Sequence, residues 1–180
     1  MNWDEYYLGI CEVVAKKSSC HSRQIGAILV KDKIVISTGY NGPARDVPEC
    51  RERLLNDDIM RHQLVKGGFD NREGIKKINA AYKAKTCPRK VLGFPSGEGL
   101  EWCNAVHAEK NCIVAAARLG IATKGSTLYM NADVSPCTQC YSACVNAGIK
   151  EIVLIKNKIY DPSLRWCIDY TDIKIREFNI

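Results

Sequence analysis

No apolar run in this chain approaches the roughly 20 residues that an α-helix needs to cross a bilayer, so a helical membrane span is not expected. The opening residues Met1-Asn2-Trp3-Asp4-Glu5 have neither the basic start nor the apolar stretch of an export signal. Both absences lead to the expectation of a cytoplasmic protein. There is no internal repeat and no low-complexity tract, which argues against a repeat array or a disordered region. Against this background ten cysteines are many. Cytoplasmic thiols are kept reduced, so metal binding is expected of them before disulfides. The net charge of +6 is a small bias. It suits a phosphorylated substrate or a nucleic acid, and a protein that binds neither can also carry it.

A chain of 180 residues, 46% hydrophobic and 26% charged, is about one domain of ordinary globular composition. Trp3, Tyr6, Tyr7, Ile10, Val13 and Val14 recur at helical spacing and predict an opening amphipathic helix. Residues 24–30 and 34–40 read as strands joined by a turn at Lys31-Asp32-Lys33. A helix is expected over 107–119, ended by Gly120, and another over 137–147, stopped by Gly148. Residues 127–131, 151–155 and 173–178 read as strands, with a helical turn or short helix at 163–170. This alternation predicts a three-layer α/β/α sandwich around a five-stranded mixed sheet. The chain is then a single domain, 1–180, with an inserted segment at about 44–102. Within the insertion, 46–64 is partly helical, Lys66-Gly67-Gly68 is a breaker, 72–85 is a helix and 94–99 is a loop. So long a segment needs something to staple it.

The chemistry concentrates in His107-Ala108-Glu109 and Pro136-Cys137-Thr138-Gln139-Cys140. Two thiolates spaced Cys-x-x-Cys at a helix start can grip one metal ion, and His107 adds a third ligand. Three protein ligands leave a tetrahedral zinc ion one position for water. Zinc-bound water ionises near neutral pH. Glu109 is within reach of such a water without binding the metal, as a proton shuttle requires. A lone first-turn glutamate could instead serve only the helix dipole. His-x-Glu followed by Pro-Cys-x-x-Cys is the signature of zinc deaminases that act on nucleobases.

On these residues the chain resembles the cytidine and deoxycytidylate (dCMP) deaminase superfamily. The resemblance extends to Gln24-Ile25-Gly26-Ala27-Ile28-Leu29-Val30, Gly39-Tyr40-Asn41-Gly42 and His107-Ala108-Glu109-Lys110-Asn111. It covers roughly residues 1–43 and 103–160; the insertion between is of the phage and bacterial type. The resemblance implies hydrolytic deamination of dCMP to dUMP, the precursor for thymidylate synthesis, with Glu109 as the catalytic carboxylate. It implies that Asn41 bonds the substrate sugar, that the Ala108 N–H meets the pyrimidine O2, that the Ser135 carbonyl faces the leaving amine and that Tyr160 stacks on the base. As an isolated aromatic, Tyr160 could equally be core. Arg23, with Ser22, is a candidate for the 5′-phosphate, because a guanidinium matches phosphate oxygens bidentately. The run Arg72, Lys76, Lys77, Lys83, Lys85, Arg89, Lys90 could add to it, but reads first as a solvated face. Family members are commonly regulated by dCTP and dTTP and are often hexameric. Gly42, Asp46 and Arg118 are the candidates for an effector site, and a homo-oligomer is expected.

Cys20, Cys50, Cys87 and Cys103 stand at junctions between elements and are expected to bind a second, structural zinc, with His21 and His62 as substitute ligands. The phage relatives carry a similar second zinc, with cysteines matching Cys20 and Cys50. Four unrelated thiols are the plainer possibility. Cys11, Cys112, Cys144 and Cys167 fall in apolar stretches and read as core. Two other functions compete: a tRNA or other nucleic-acid base deaminase with the same zinc and glutamate, and a non-catalytic zinc-bound scaffold. The second leaves Glu109 without a purpose.

Overall fold

Asn2 opens the first helix. Its side chain accepts from the Glu5 N–H while the Glu5 carboxylate accepts from the Asn2 N–H, so two of the unpaired donors at the helix start are satisfied reciprocally. In the computed structural model, which describes residues 1–68, 70–95 and 98–180, this helix is α1 (Trp3–Ala15). The strands β1 (Gly26–Lys31) and β2 (Ile34–Tyr40) follow. Asp32 and Lys33 between them both have positive φ, the backbone of a tight two-residue hairpin. β1 begins two residues later than its composition predicts, because the Asn41 side chain takes the Ile25 N–H. After a short β3 (Gly42–Pro43) come α2 (Cys50–Asn56), α3 (Asp58–Lys66), α4 (Asn71–Lys83) and α5 (Pro88–Val91). A single 3-10 turn (Leu100–Trp102) and β4 (Ala105–Val106) complete this stretch. The remainder is α6 (Ala108–Arg118), β5 (Thr127–Met130), α7 (Thr138–Asn146), β6 (Glu151–Leu154), α8 (Pro162–Asp169) and β7 (Lys174–Glu177).

The chain divides into two compact units. The first comprises Met1–Ser18, Gln24–Asn41 and Val106–Ile180. Its sheet has the order β2-β1-β5-β6-β7, antiparallel over the first three strands and parallel over the last three. Successive residues on a strand face opposite ways, and here both faces are apolar. Ala27, Leu29, Leu128, Met130, Ile152 and Leu154 enter one core. Ile28, Val30, Tyr129 and Val153 enter the other. A sheet apolar on both faces must be covered on both. Tyr7 and Cys11 of α1 cover one side, joined by Phe178. Ala108, Cys112 and Ala116 of α6, Tyr141 and Cys144 of α7, and Leu164 of α8 cover the other. The result is the three-layer α/β/α arrangement with a five-stranded mixed sheet.

The second unit comprises Ser19–Arg23 and Gly42–Ala105. The predicted partial helix over 46–64 is two helices, broken at Asp57, whose carboxylate caps α3 by accepting the Met60 N–H. Asp70 caps α4 in the same way through the Glu73 N–H. Leu54, Met60, Leu64, Ile78, Ala81 and Val91 form a core of their own. Of the expected loop at 94–99, Ser96 and Gly97 lie outside the described residues.

Candidate metal centre

α6 and α7 begin alike. Each has a candidate ligand at its N-cap, His107 or Cys137, in extended backbone, and among the described residues neither makes the side-chain hydrogen bond that usually caps a helix. The two side chains converge instead. His107 Nδ1 lies 3.6 Å from Cys137 Sγ and 3.3 Å from Cys140 Sγ. Cys140 can join because the N-cap and N3 positions of a helix are neighbours in space. Within the described residues, this is the group whose metal-binding atoms all lie within 4.8 Å of one another. Zinc–ligand lengths of about 2.3 Å to sulfur and 2.0–2.1 Å to nitrogen place tetrahedral N and S ligands about 3.6 Å apart. The His107 set fits that ion, and three protein donors are the complement of a catalytic zinc site.

The electrostatics agree. The Cys137 thiol is pulled down to about 4, first by the hydrogen bond from Cys140 and then by His107. Cys140 is pushed up, because it supplies that hydrogen bond and is buried. His107 is raised by its hydrogen bond to Cys137. Two thiolates this close repel each other, and a divalent ion between them offsets both charges. Glu109 is 4% exposed and lies outside the ligand group. Burial raises its carboxyl, against the pull of its own N–H, of His107 and of the Cys140 thiol. It is a buried acid beside a metal set, and that raised affinity for protons is what a proton shuttle uses.

β2 sets the height of α6. A Cβ on Gly39 would stand 2.3 Å from the Cys112 nitrogen and 2.5 Å from the Ala108 carbonyl oxygen, so only glycine lets the strand pass this close to the helix start. Asn111 Nδ2 donates to the Tyr40 carbonyl at 2.8 Å. Asn41 follows directly and is buried. Its carboxamide oxygen accepts from the Ile25 N–H and from the Ser18 hydroxyl, both at 2.8 Å, which fixes the amide's orientation. Ser18 carries no motif signal; only its pairing with Asn41 reveals it.

Ser135 is buried, donates its N–H to the Lys158 carbonyl and its hydroxyl to Asn157 Oδ1. Tyr160 is half exposed rather than core, and lies in the field of Cys137, Glu109 and Cys140; burial and those groups push its hydroxyl up to about 12. Asp161, next to it, accepts from both the N–H and the hydroxyl of Thr138. Sequence reading missed Asp161. Asp161-Pro162 is a recognisable helix start for α8, but its bond to α7 has no local signal.

The other candidates are placed as follows. Ser22, Arg23, Gly42 and Asp46 belong to the second unit, whereas His107, Glu109, Cys137, Cys140, Asn41, Ser135 and Tyr160 belong to the first. Arg118 is exposed and ends α6, about 15 Å along the axis from Ala108 at 1.5 Å per residue. Cys20, Cys50, Cys87 and Cys103 all fall in the second unit. Cys50 is pushed up to about 11 by burial, then by Cys20, Cys103 and Cys87. Their sulfurs do not form a group within 4.8 Å among the described residues. In the same unit, His21 has a buried Nε2 with no hydrogen-bond partner among the described residues, and His62 is exposed. Cys11, Cys112 and Cys144 are fully buried core thiols, and Cys167 is partly buried.

Residues 1–156 match the family model described as the cytidine and deoxycytidylate deaminase zinc-binding region. The deoxycytidylate deaminase of Mycobacterium phage D29 is 30% identical over 160 residues, 86% of this chain and 95% of that protein. That of Enterobacteria phage T4 is 33% identical over 81% of this chain and 74% of its own length. The deoxycytidylate deaminase of Schizosaccharomyces pombe is 27% identical over 98% of this chain, which spans 44% of that protein's length. Among solved structures, the dCMP deaminase of cyanophage S-TIM5 in complex with dCMP and dUMP shares the fold, with a TM-score of 0.61 at 20% identity over 96% of this chain and 94% of that one. With the motif, the converging ligands and a family match over most of its length, this chain belongs to the cytidine and deoxycytidylate deaminase zinc-binding family.

Proposed function

We propose that the chain catalyses the hydrolytic deamination of dCMP to dUMP and ammonia, supplying dUMP for thymidylate synthesis. The observation that carries this reading is the buried Glu109 carboxyl set against the His107–Cys137–Cys140 group. A scaffold would have no use for a buried acid there. The phage relatives named for dCMP support the substrate. Zinc held by His107, Cys137 and Cys140 would supply a water of lowered pKa. With that chemistry in place, Glu109 would take a proton from the attacking water and deliver it to the ring N3 as the water's oxygen adds at C4. The same carboxylate then carries the proton of the new hydroxyl to the departing amino group, which leaves as ammonia. The Ala108 N–H and the Ser135 carbonyl orient the ring, Tyr160 stacks on it, and Asn41 holds the sugar. Arg23, assisted by Ser22, takes the 5′-phosphate.

Three further assignments complete the reading. dCTP and dTTP regulate activity through Gly42, Asp46 and Arg118. The enzyme is a homo-oligomer, a hexamer by analogy with the family. Cys20, Cys50, Cys87 and Cys103 hold a second, structural zinc that staples the inserted unit within the single domain. Their common unit and the influence of three of them on Cys50 support this, and the metal would have to draw the sulfurs closer than they stand. Ammonia release from dCMP, dCTP, deoxycytidine and a tRNA anticodon stem tests the substrate. Turnover of dCMP is expected, and turnover of RNA alone would overturn the reading. Metal analysis should find two zinc ions per chain; one ion would remove the structural site. Identical activity curves with and without dCTP would remove the regulation.

A further inference from the structure

The helix that carries both cysteine ligands is anchored from elsewhere in the fold. The Cys137 N-cap makes no cap bond among the described residues, since its thiol faces His107. The first N–H groups of a helix still need acceptors. Asp161 supplies one. Its Oδ2 accepts from the Thr138 N–H at 2.8 Å and from the Thr138 hydroxyl at 2.7 Å. Its Oδ1 accepts from the Ser163 N–H at 3.1 Å, capping α8. One carboxylate therefore serves the starts of two helices. The Ser135 N–H donates to the Lys158 carbonyl at 3.0 Å, and the Ser135 hydroxyl to Asn157 Oδ1 at 2.9 Å. Four hydrogen bonds among the described residues thus tie segment 135–138, which contains Cys137, to segment 157–161, which contains Tyr160.

We propose that Asp161 is a positioning residue of the metal site, fixing the start of α7 so that Cys137 meets His107, and holding Tyr160 beside them. An N-cap residue has no helical φ and ψ to constrain it. Cys137 is therefore the ligand whose direction depends most on what holds the next residue, Thr138. Asp161 grips that residue by its backbone and its side chain together. Because the other oxygen is committed to α8, the carboxylate cannot rotate without releasing one helix start. Tyr160 is the neighbouring residue on the same strut, so the base-facing ring and the metal ligand move as one.

The inference rests on the His107 set holding zinc, and its test reads the metal as well as turnover. Asp161→Ala and Thr138→Val are prepared as holoenzymes and again with cobalt(II) in place of zinc. Removing a partner that orients a ligand typically costs about 10- to 100-fold in metal affinity. We expect release to a chelator about tenfold faster in Asp161→Ala, within that range, a smaller gain in Thr138→Val and a shifted thiolate-to-cobalt absorption band in both. KM for dCMP should rise in Asp161→Ala through Tyr160. Thr138→Ser, which keeps both donors, should behave as wild type. If Asp161→Ala does not fold, Thr138→Val, which removes one bond only, carries the test. A lower melting temperature with wild-type metal release and cobalt spectrum would reduce Asp161 to an ordinary helix cap and overturn the proposal. Failure of the zinc reading looks different: the wild-type protein would then hold no metal, and this proposal would fall with it.

Discussion

Replacing Gly39 with alanine adds one methyl group where β2 passes closest to α6. That Cβ would lie 2.3 Å from the Cys112 nitrogen, 2.5 Å from the Ala108 carbonyl oxygen and 2.8 Å from the Cys112 Cα. All three atoms are backbone of α6, so no side chain can turn aside. Ordinary contact begins near 3.4 Å, and α6 and β2 must separate by about 1 Å. Overpacking of this kind costs about 1–3 kcal/mol. The lower entropy of alanine in the unfolded chain returns part of it, about 0.5–1 kcal/mol. A net loss of about 1 kcal/mol lowers the melting temperature by roughly 2–4 °C in a chain of this size. The effect on turnover should be larger. His107 and Glu109 stand at the start of the displaced helix, and a misplacement of about 1 Å can cost about 100-fold in rate. Gly9→Ala in α1 is the control: its Cβ meets nothing within 4 Å, so it should stabilise by about 0.5–1 kcal/mol and leave activity alone. Thermal melts and ammonia release on the same preparations decide the matter. If Gly39→Ala keeps both stability and kcat/KM, the strand does not set the height of α6.

Glu109→Gln should retain zinc, measured by metal analysis, while losing about 10²- to 10⁴-fold in turnover, the usual worth of a positioned acid–base group; a variant with half the wild-type rate would exclude the proton-shuttle role. Stripping zinc with a chelator should lower the melting temperature and abolish turnover, and stoichiometric zinc should restore both, because metal affinity adds to folding stability; an unchanged melt would refute this linkage. Asp4 holds α1 to the last strand: its carboxylate accepts from Arg176 at 2.6 and 3.1 Å and from the Asn179 N–H at 2.8 Å. The Arg176 hydrogen bond holds the Asp4 carboxyl below its usual value. The folded state therefore binds that proton less tightly than the unfolded state, so the stabilisation is fully present above about pH 4 and fades as pH falls through the folded value. Asp4→Asn should cost about 2 kcal/mol at neutral pH, as for bonds to charged groups, and the gap to wild type in melting temperature should narrow below about pH 4; a gap independent of pH would assign the loss to packing alone.

The parts of this protein that were legible in its sequence are those whose information is local. Cys137 sits at an N-cap and Cys140 is one helical turn further on, so Cys-x-x-Cys spacing already contains the geometry of two ligands; His107, at its own N-cap 30 positions away, was legible through its motif and not through any distance. The strands alternate between two cores with period two, and residues 27–30 carry that split within four letters. The insertion was harder. α2 and α3 have seven and nine residues, too few to show a clear periodic face, though Asp57 and Asp70 were available as cap signals. Asp161 and Ser18 were invisible for a different reason. Each matters through a partner 23 positions away, and which oxygen meets which donor is decided by how β1, β2 and the two helix starts are brought together. The four remaining cysteines stand at junctions in the sequence and fall in one unit of the structure, but separations of tens of residues carry no distances.

The charges at the centre explain why its parts occur together. A working site of this composition has two thiolates and one carboxylate, all largely out of water. Three negative charges in such a place are prohibitively costly without compensation. A divalent cation offsets two of them. The starts of α6 and α7, just after His107 and Cys137, are each worth about half a positive charge, and together they offset the third. Neither contribution suffices alone. The cation without the helix starts would leave Glu109 inclined to stay protonated and unable to accept from water. The helix starts without the cation leave the two thiols opposed, with Cys137 pulled down and Cys140 pushed up. Burial of Glu109, two helices beginning at one place and a metal between them are therefore one electrostatic unit. A change that moves either helix start should alter the affinity for metal and the proton affinity of Glu109 together, and Gly39, beneath α6, and Asp161, beside α7, are two places where that coupling can be probed.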